Sequence, residues 1–438
     1  MNSVNKINTP SAPGIPNHWQ LKKLGEVGEI ISGGTPSTKV AAYWNGTISW
    51  ITPADLSCYD KKIITKGRKS ITVIGLKNSS SRLLPKGSIL FSSRAPIGYV
   101  AIAGNEVCTN QGFKSIIPDK SILSEYLFYF LKASKQNAEK VASGTTFKEI
   151  SMKAFSQLEI PLPPLPEQQA IVAKIEELFS ELDKGVESLK TAQQQLKVYR
   201  QSLLKWAFEG KLTKSEFRSE KAELAVAAEG KEKYGNTNLP EGWKWVKLSE
   251  ITEVKDGTHD TPKYISEGIP FITQKNIKDS GLSFSNVQFI AKSDHDKFYT
   301  RSNVSLNDIL ISMIGANRGM SCIVNDSRVF SIKNVGLIKS NSSKINQMFL
   351  LYYLKSSYSK NYIKSLSKGG AQEFIGLTEL RNFPIKYCPI KQQQLIVEEL
   401  ESRLTVCDKI EETINNGLQQ SEALRQSILK RAFEGRLV

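Results

Sequence analysis

The stretch Pro166–Thr213, PEQQAIVAKIEELFSELDKGVESLKTAQQQLKVYRQSLLKWAFEGKLT, returns at the C-terminus as Lys391–Val438, KQQQLIVEELESRLTVCDKIEETINNGLQQSEALRQSILKRAFEGRLV. The two align without a gap at a constant offset of 225. Gln168-Gln169 meets Gln393-Gln394, and Ile171-Val172 meets Ile396-Val397. Asp183-Lys184 meets Asp408-Lys409, and Ala207-Phe208-Glu209-Gly210 meets Ala432-Phe433-Glu434-Gly435. About twenty positions are identical, far above chance, and self-similarity of this kind outranks any local motif. A duplicated chain presents two like surfaces. A partner with two-fold character of its own is implied, and B-DNA is the first candidate.

Each copy reads as a long helix. In the first, apolar residues step Ile171, Ile175, Leu178, Leu182, then Leu189, Ala192, Leu196, Tyr199, Leu203, Trp206. That 3–4 alternation is a coiled-coil seam. The second keeps Ile396, Leu400, Cys407, Ile410, Ile414, Leu424 and Ile428, interrupted by Arg403, Ser421 and Arg431. Two such helices in one chain most simply pack on each other; the alternative is that each packs on its own globular domain. Pro161, Pro163, Pro164 and Pro166 lead into the first helix, and Pro384 and Pro389 into the second, as proline's fixed φ allows. Gly210 and Gly435 close them. Forty-odd residues at about 1.5 Å each make a rod of roughly 60 Å.

The segments ahead of the helices are a weaker duplicate. Pro16-Asn17-His18-Trp19 meets Pro240-Glu241-Gly242-Trp243, and Trp50-Ile51-Thr52 meets Phe271-Ile272-Thr273. Ile89-Leu90-Phe91-Ser92 meets Ile309-Leu310-Ile311-Ser312, and Tyr129-Phe130-Leu131-Lys132 meets Tyr352-Tyr353-Leu354-Lys355. Between these anchors the copies diverge, as a common scaffold with variable loops would. Short apolar runs such as 88–91 and 98–103, bounded by Gly, Pro and Ser, predict strands. Residues 123–132 and 348–355 predict short helices. The fold class is therefore α+β: two mixed modules, each followed by a long helix, the two helices pairing as an antiparallel coiled coil. The divisions are 1–160 and 236–388 for the modules, 161–235 for the first helix with a charged linker from Thr213 to Asn238, and 389–438 for the last helix.

The chain has 438 residues, an excess of 16 positive charges and five scattered cysteines, none in CxxC spacing. Such length calls for several domains. The cysteine pattern argues against a disulfide framework and against zinc. The charge suggests a polyanion, nucleic acid before membrane, because the basic residues are dispersed rather than gathered on one amphipathic helix. No apolar run is long enough to span a bilayer, and the polar, Pro/Ser/Asn-rich start has no signal-peptide core. The cytoplasm is the expected location.

The order and duplication of these motifs resemble the specificity subunits of type I restriction–modification systems over nearly the whole length. The strongest signature is Ile160-Pro161-Leu162-Pro163-Pro164-Leu165-Pro166-Glu167-Gln168-Gln169, entering a helix that ends Ala207-Phe208-Glu209-Gly210-Lys211-Leu212. The second copy departs at its start, Pro389-Ile390-Lys391-Gln392-Gln393-Gln394, where the double proline is missing. Trp50-Ile51-Thr52-Pro53-Ala54-Asp55-Leu56 and Ser92-Ser93-Arg94-Ala95-Pro96-Ile97-Gly98 also fit. The resemblance implies two target recognition domains, each reading one half of a bipartite double-stranded DNA target with an unspecified spacer, and paired helices that set their separation. It implies no catalytic centre. Two adenine-N6 methyltransferase (modification) subunits would be held here, and restriction subunits through them. S-adenosylmethionine, ATP and Mg would sit on those partners, leaving no cofactor for this chain.

The residues agree that chemistry lies elsewhere. The only Pro-Pro, at 163–164, has no polar residue before it and no aromatic after it, so it does not form a base-clamping methyltransferase loop. No GxxxxGK[ST] loop occurs. Asp55 with Asp60-Lys61-Lys62 matches a nuclease cluster only loosely. His18, His259 and His295 are too separated for a metal site or a His-based catalytic pair.

DNA reading needs Lys, Arg, Ser, Thr and amides for phosphates, and Arg, Lys, Asn and Gln for base edges, on loops where Gly or Pro lets the backbone approach. In the first module the candidates are Ser32, Gly33, Thr35, Ser37 and Lys39; Ser92, Ser93 and Arg94; Asn110, Gln111 and Lys114; and Thr145, Thr146 and Lys148. In the second they are Thr258, His259 and Thr261; Lys275 and Asn276; Asn317 and Arg318; Lys333 and Asn334; and Lys368 and Gln372. Arg94 and Arg318, each after a strand at near-equivalent positions, rank first. Two other readings compete: a stand-alone DNA-binding regulator built from the same modules, and a coiled-coil scaffold with no nucleic-acid partner.

Arg94→Ala is expected to weaken binding at the first half-site, by about 1–3 kcal/mol if it reads a guanine; unchanged affinity and preference across that half-site would refute the assignment. Adding or removing four residues near Gly185 should change the tolerated spacer. Mapping the methylated motif checks this, and a motif with the original gap would count against the helix as ruler.

Overall fold

The computed structural model describes residues 15–94, 96–144, 148–212, 239–315, 317–366 and 374–438; the linker expected at 213–238 lies outside them. Two compact units divide the chain: Met1–Leu189 with Asn416–Val438, and Lys190–Asn415. Both divisions fall inside the two long helices, Leu165–Phe208 and Ile390–Phe433.

In the first unit a five-stranded sheet runs in the order Gly28–Ser32, Lys114–Pro118, Ile89–Phe91, Val100–Ala103, Ile63–Ile64. A three-stranded sheet sets Trp44–Ile51 between Lys69–Ile71, antiparallel, and Val107–Thr109, parallel. Ile89, Leu90 and Phe91 are all fully buried, which explains the unbroken apolar run: this central strand is covered on both faces. The helix Ser124–Ala133 packs its Tyr126, Leu127, Phe130 and Leu131 into the same core. Gln20–Lys23 pairs with Glu159–Leu162, bringing the module's two ends together.

The second unit repeats the plan. Its four-stranded sheet runs Val254–Asp256, Val335–Ile338, Ile309–Ser312, Ser321–Ile323. Ile269–Ile272 lies between Gln288–Ile290, antiparallel, and Ser331–Ile332, parallel. Lys244–Lys247 pairs with Pro384–Tyr387, and the short helix is Gln347–Lys355. The α+β class and the duplicated scaffold expected from sequence are both present.

Each long helix starts on one module and ends in the other's unit. A buried glutamine pins each start. Gln168 Oε1 accepts from Leu123 N at 2.9 Å, and its Nε2 donates to Ser121 O and Pro163 O, both at 2.9 Å. Gln393 repeats this with Asn346 N at 2.8 Å and Cys388 O at 2.7 Å. A buried amide needs such partners, so these glutamines specify where the helix leaves the module. At the far ends, Phe433 packs edge-on against Tyr126 and Phe130, with centroids 5.2 and 5.4 Å away. Phe208 does the same to Phe349 and Tyr353, at 5.1 and 5.0 Å. Gly210 and Gly435 then turn the chain at φ +68° and +66°, a left-handed conformation that favours glycine. A Cβ there would also lie 2.5 Å from Pro240 and 2.3 Å from Pro16 respectively.

Within each unit the helix halves pack antiparallel. In the first, Asp183 meets Arg425 and Leu189 lies against Gly417. In the second, Gln193 meets Asn415 at 3.2 Å, and Arg200 meets Asp408 at 2.7 Å and Glu411 at 2.9 Å. Arg200 and Arg425 are equivalent under the 225 offset, as are Asp183 and Asp408, so one ion pair occurs twice with the helices exchanged. Partly exposed pairs of this kind contribute about 0–1 kcal/mol; they mark register more than they stabilise. Two seam assignments are corrected: Ile410 and Leu424 are 44% and 50% exposed. The row Leu400, Cys407, Ile414, Ile428 stays buried. The neighbouring heptad row is covered only in part: Arg403 is half-buried and Gly417 lies against Leu189, while Ile410 and Leu424 face outward.

Phe208→Ala should destabilise the fold by about 3–5 kcal/mol, the range for emptying a buried aromatic site. Thermal or urea unfolding measures it, and a change below 1 kcal/mol would show that the helix end is not a structural plug.

Candidate nucleic-acid interface

The candidate loops cluster where the two sheets of each module meet, and the same backbone hydrogen bonds build the cluster twice. Gly33 N donates to Phe113 O, Gly34 N to Thr109 O at 2.9 Å, and Asn110 N to Ile51 O at 3.0 Å. In the second module Gly257 N donates to Val335 O at 2.9 Å, Thr258 N to Ile332 O at 3.0 Å, and Lys333 N to Ile272 O at 2.9 Å. Gly33 therefore corresponds to Gly257, Thr35 to His259, and Asn110 to Lys333. The glycines are required by close approach: a Cβ at 33 would lie 1.9 Å from Asn110 O, and one at 257 would lie 2.3 Å from Ile332 O.

On this frame the predicted residues separate into scaffold and surface. Ser92 and Ser93 are fully buried; Ser92 Oγ donates to Pro96 O at 2.8 Å, and Ser93 Oγ to Gly112 O at 3.1 Å. Asn276 is buried too, capping the turn through Thr273 N at 3.0 Å and bonding Ser283 O at 3.0 Å. Asp55 plays the matching role for Thr52 N at 2.8 Å; it belongs to a capping turn, not to a nuclease cluster. Thr258 is buried, and its hydroxyl accepts from Asp260 N at 3.0 Å. Lys114 is buried beside Glu149 at 3.3 Å. Asn110 Oδ1 accepts from Gly112 N at 3.0 Å.

Thr35, Ser37, Lys39, Gln111, Lys148, His259, Thr261, Lys275 and Asn317 are exposed; Ser32, Arg94, Arg318, Lys333 and Asn334 are half-buried. Thr35 Oγ1 bonds Gln111 Oε1 across two loops, and Lys333 Nζ bonds Thr261 Oγ1. Thr145, Thr146, Lys368 and Gln372 lie outside the described residues. Behind the second cluster, His295 bonds Ser331 Oγ at 2.8 Å, and burial holds its pKa below the ordinary value.

The pairing of Arg94 with Arg318 does not hold. Ile150 N donates to Ser93 O, as Ile375 N does to Met313 O. Arg94 then bridges Glu149 where Ile314 bridges Phe374, so the counterpart of Arg94 is Ile314. Gly98 N donates to Ser92 O and Gly319 N to Ser312 O; Arg318 thus occupies the place of Ile97. The turn is one residue longer in the second module, and that insertion is invisible without the backbone bonds.

The pattern of the type I restriction modification DNA specificity domain matches residues 16–196 and again 240–420. The chain is 30% identical to the type I restriction enzyme MjaIX specificity subunit of Methanocaldococcus jannaschii, covering 97% of this chain and 94% of that one. It is 23% identical to the EcoKI specificity subunit of Escherichia coli over 98% and 91%. The chain belongs to the specificity subunits of type I restriction enzymes. A solved chain from a study of complex assembly and conformational transition in the type I R-M system superposes with a TM-score of 0.72 at 20% identity, covering 98% of this chain and all of that one. The HsdS subunit from Thermoanaerobacter tengcongensis gives 0.55 at 20% identity over 96% and 98%. Both show the fold.

One feature of this specificity subunit escaped the sequence reading. Arg318, Lys355, Lys360 and Lys364 line an open cleft of about 630 Å³ in the second module, with Asp279 as its acidic member. Lys355 is paired with Asp279 at 3.3 Å. Lys360 and Lys364, both exposed, stand one turn apart on the helix Ser357–Ser365, so they share a face. Their i,i+4 spacing was visible; that the face looks onto Arg318 was not.

Proposed function

We propose that this chain reads a bipartite double-stranded DNA target for a type I restriction–modification complex, one half-site per module. The observation that carries the reading is the duplicated frame: matching backbone bonds hold different side chains, exposed Thr35 and Gln111 in one module, exposed His259 and half-buried Asn334 in the other. One scaffold, two chemistries, suits two different half-sites on one duplex. The excess of 16 positive charges supplies the sequence-independent attraction to phosphates. The chain acts without a catalytic centre of its own. It holds two modification subunits, which carry S-adenosylmethionine and methylate adenine at N6. Through them it engages restriction subunits that use ATP and Mg. The long helices act as dock and ruler, and the assembly works in the cytoplasm. A stand-alone regulator would need neither two helical docks nor a partner for tight binding.

A binding titration of the purified chain, with and without its modification subunit, against DNA at several salt concentrations tests this. Site-specific affinity that requires the partner, and a log–log salt slope of about −0.9 per phosphate contact, are expected. Tight specific binding by the chain alone would favour the regulator, and no salt-dependent affinity would favour a scaffold. In the same assay Lys360→Ala combined with Lys364→Ala should weaken all sequences alike and flatten the slope by about two.

A further inference from the structure

The two modules share one more contact that neither the family match nor the loop composition assigns. At corresponding places on the frame, a side chain from the first glycine loop bonds the carboxamide oxygen of a residue in the second loop. In the first module Thr35 Oγ1 bonds Gln111 Oε1. In the second His259 Nδ1 lies 2.8 Å from Asn334 Oδ1. Each pair bridges two chain segments held together by the close approach at Gly33 or Gly257. His259 is itself anchored: its Nε2 lies 3.1 Å from Asp256 Oδ2. That carboxylate is buried and gripped by Arg301 through Nη2 at 2.7 Å and Nε at 3.0 Å. The imidazole is nonetheless 63% exposed.

A carboxamide offers an acceptor oxygen beside an NH2 donor. That edge complements adenine, whose major-groove face offers an N6 donor beside an N7 acceptor. Thr35 takes up one lone pair of the Gln111 oxygen. His259 does the same for Asn334 when Nδ1 carries a proton, and because the Asp256 carboxylate accepts from Nε2, both ring nitrogens are donors in that arrangement. Each bond leaves the second lone pair and the whole NH2 group unused, and among the described residues neither NH2 has a partner. The bond also fixes the orientation of a side chain that otherwise flips and rotates, which lowers the ordering cost on binding. Thr35, Gln111 and His259 are exposed and Asn334 is half-buried, so both pairs lie at the surface, where a base edge can approach. The loop in the first module is longer by one residue, 110–112 against 333–334, which matches the longer reach of Gln111 to Thr35 against the shorter Asn334 to His259.

Resting on the proposed function, we infer that Gln111 and Asn334 are the adenine-reading residues of the two half-sites, with Thr35 and His259 as their positioning residues. Selection from randomised DNA by the chain assembled with its modification subunit tests the assignment one base pair at a time. Gln111→Ala should lose discrimination, roughly 5- to 150-fold, at a single A·T pair of the first half-site and leave the second unchanged. Asn334→Ala should do the reverse. Gln111→Glu, which keeps the shape, should move preference at that same pair toward C·G, since a carboxylate accepts from cytosine N4. Thr35→Ala and His259→Ala should blur the same pairs as their partners, where a merely structural role would weaken every pair alike. If the wild-type complex selects a bipartite motif and the Gln111 and Asn334 variants select it unaltered, the assignment is overturned. If the wild type selects no motif, the proposed function falls and takes the assignment with it.

Discussion

Each module is closed by the end of the helix that begins on the other, and the rest of the structure depends on that exchange. Phe208 fills a site between Phe349 and Tyr353, and Phe433 fills the matching site between Tyr126 and Phe130. The energy of these contacts is that of a core, a few kcal/mol per aromatic. The ion pairs along the helices add little by comparison. Hydrophobic plugs therefore hold the helix ends, while Arg200–Asp408 and Arg425–Asp183 fix which residues face one another. Neither long helix belongs to a single unit, and this is why the helical segments carry the strongest sequence repeat. The start of each helix fits one module and its end fits the other, and most identities between the two copies fall near those ends.

The proposed reading surface is built differently. Its frame is backbone: glycine approaches, capping turns and strand pairings that tolerate any outward side chain. Thr52 with Asp55 and Thr273 with Asn276 build the same turn from different residues. Thr35 with Gln111 and His259 with Asn334 bridge the same gap with different chemistry. Such a frame can change what it reads without repacking its core.

Much of the fold was legible in the chain because its signals are periodic or duplicated. The helix seam, the closing glycines and the buried strand at Ile89–Phe91 all follow from spacing and composition. Ile410 and Leu424 were misplaced because a heptad template assigns a whole row to the seam, while the fold covers only part of that row. The proposed interface was legible only as loops. Ser92, Ser93 and Asn276 have the polar groups that DNA contacts need, but their partners lie far away in sequence, so their burial could not be read locally. Arg94 and Arg318 looked equivalent because the turn insertion shifts one against the other. The cleft facing Lys360 and Lys364 forms only when the helix Ser357–Ser365 packs beside Arg318, a contact no local motif encodes.

Sequencing the methylated adenines of a host that carries this chain with its modification subunit addresses the central claim most directly. Two recognition modules on one exchanged pair of helices predict a single bipartite motif: two different half-sites, a fixed gap between them, and a modified adenine in each. A continuous motif, or a methylation pattern that does not change when the chain is removed, would contradict it.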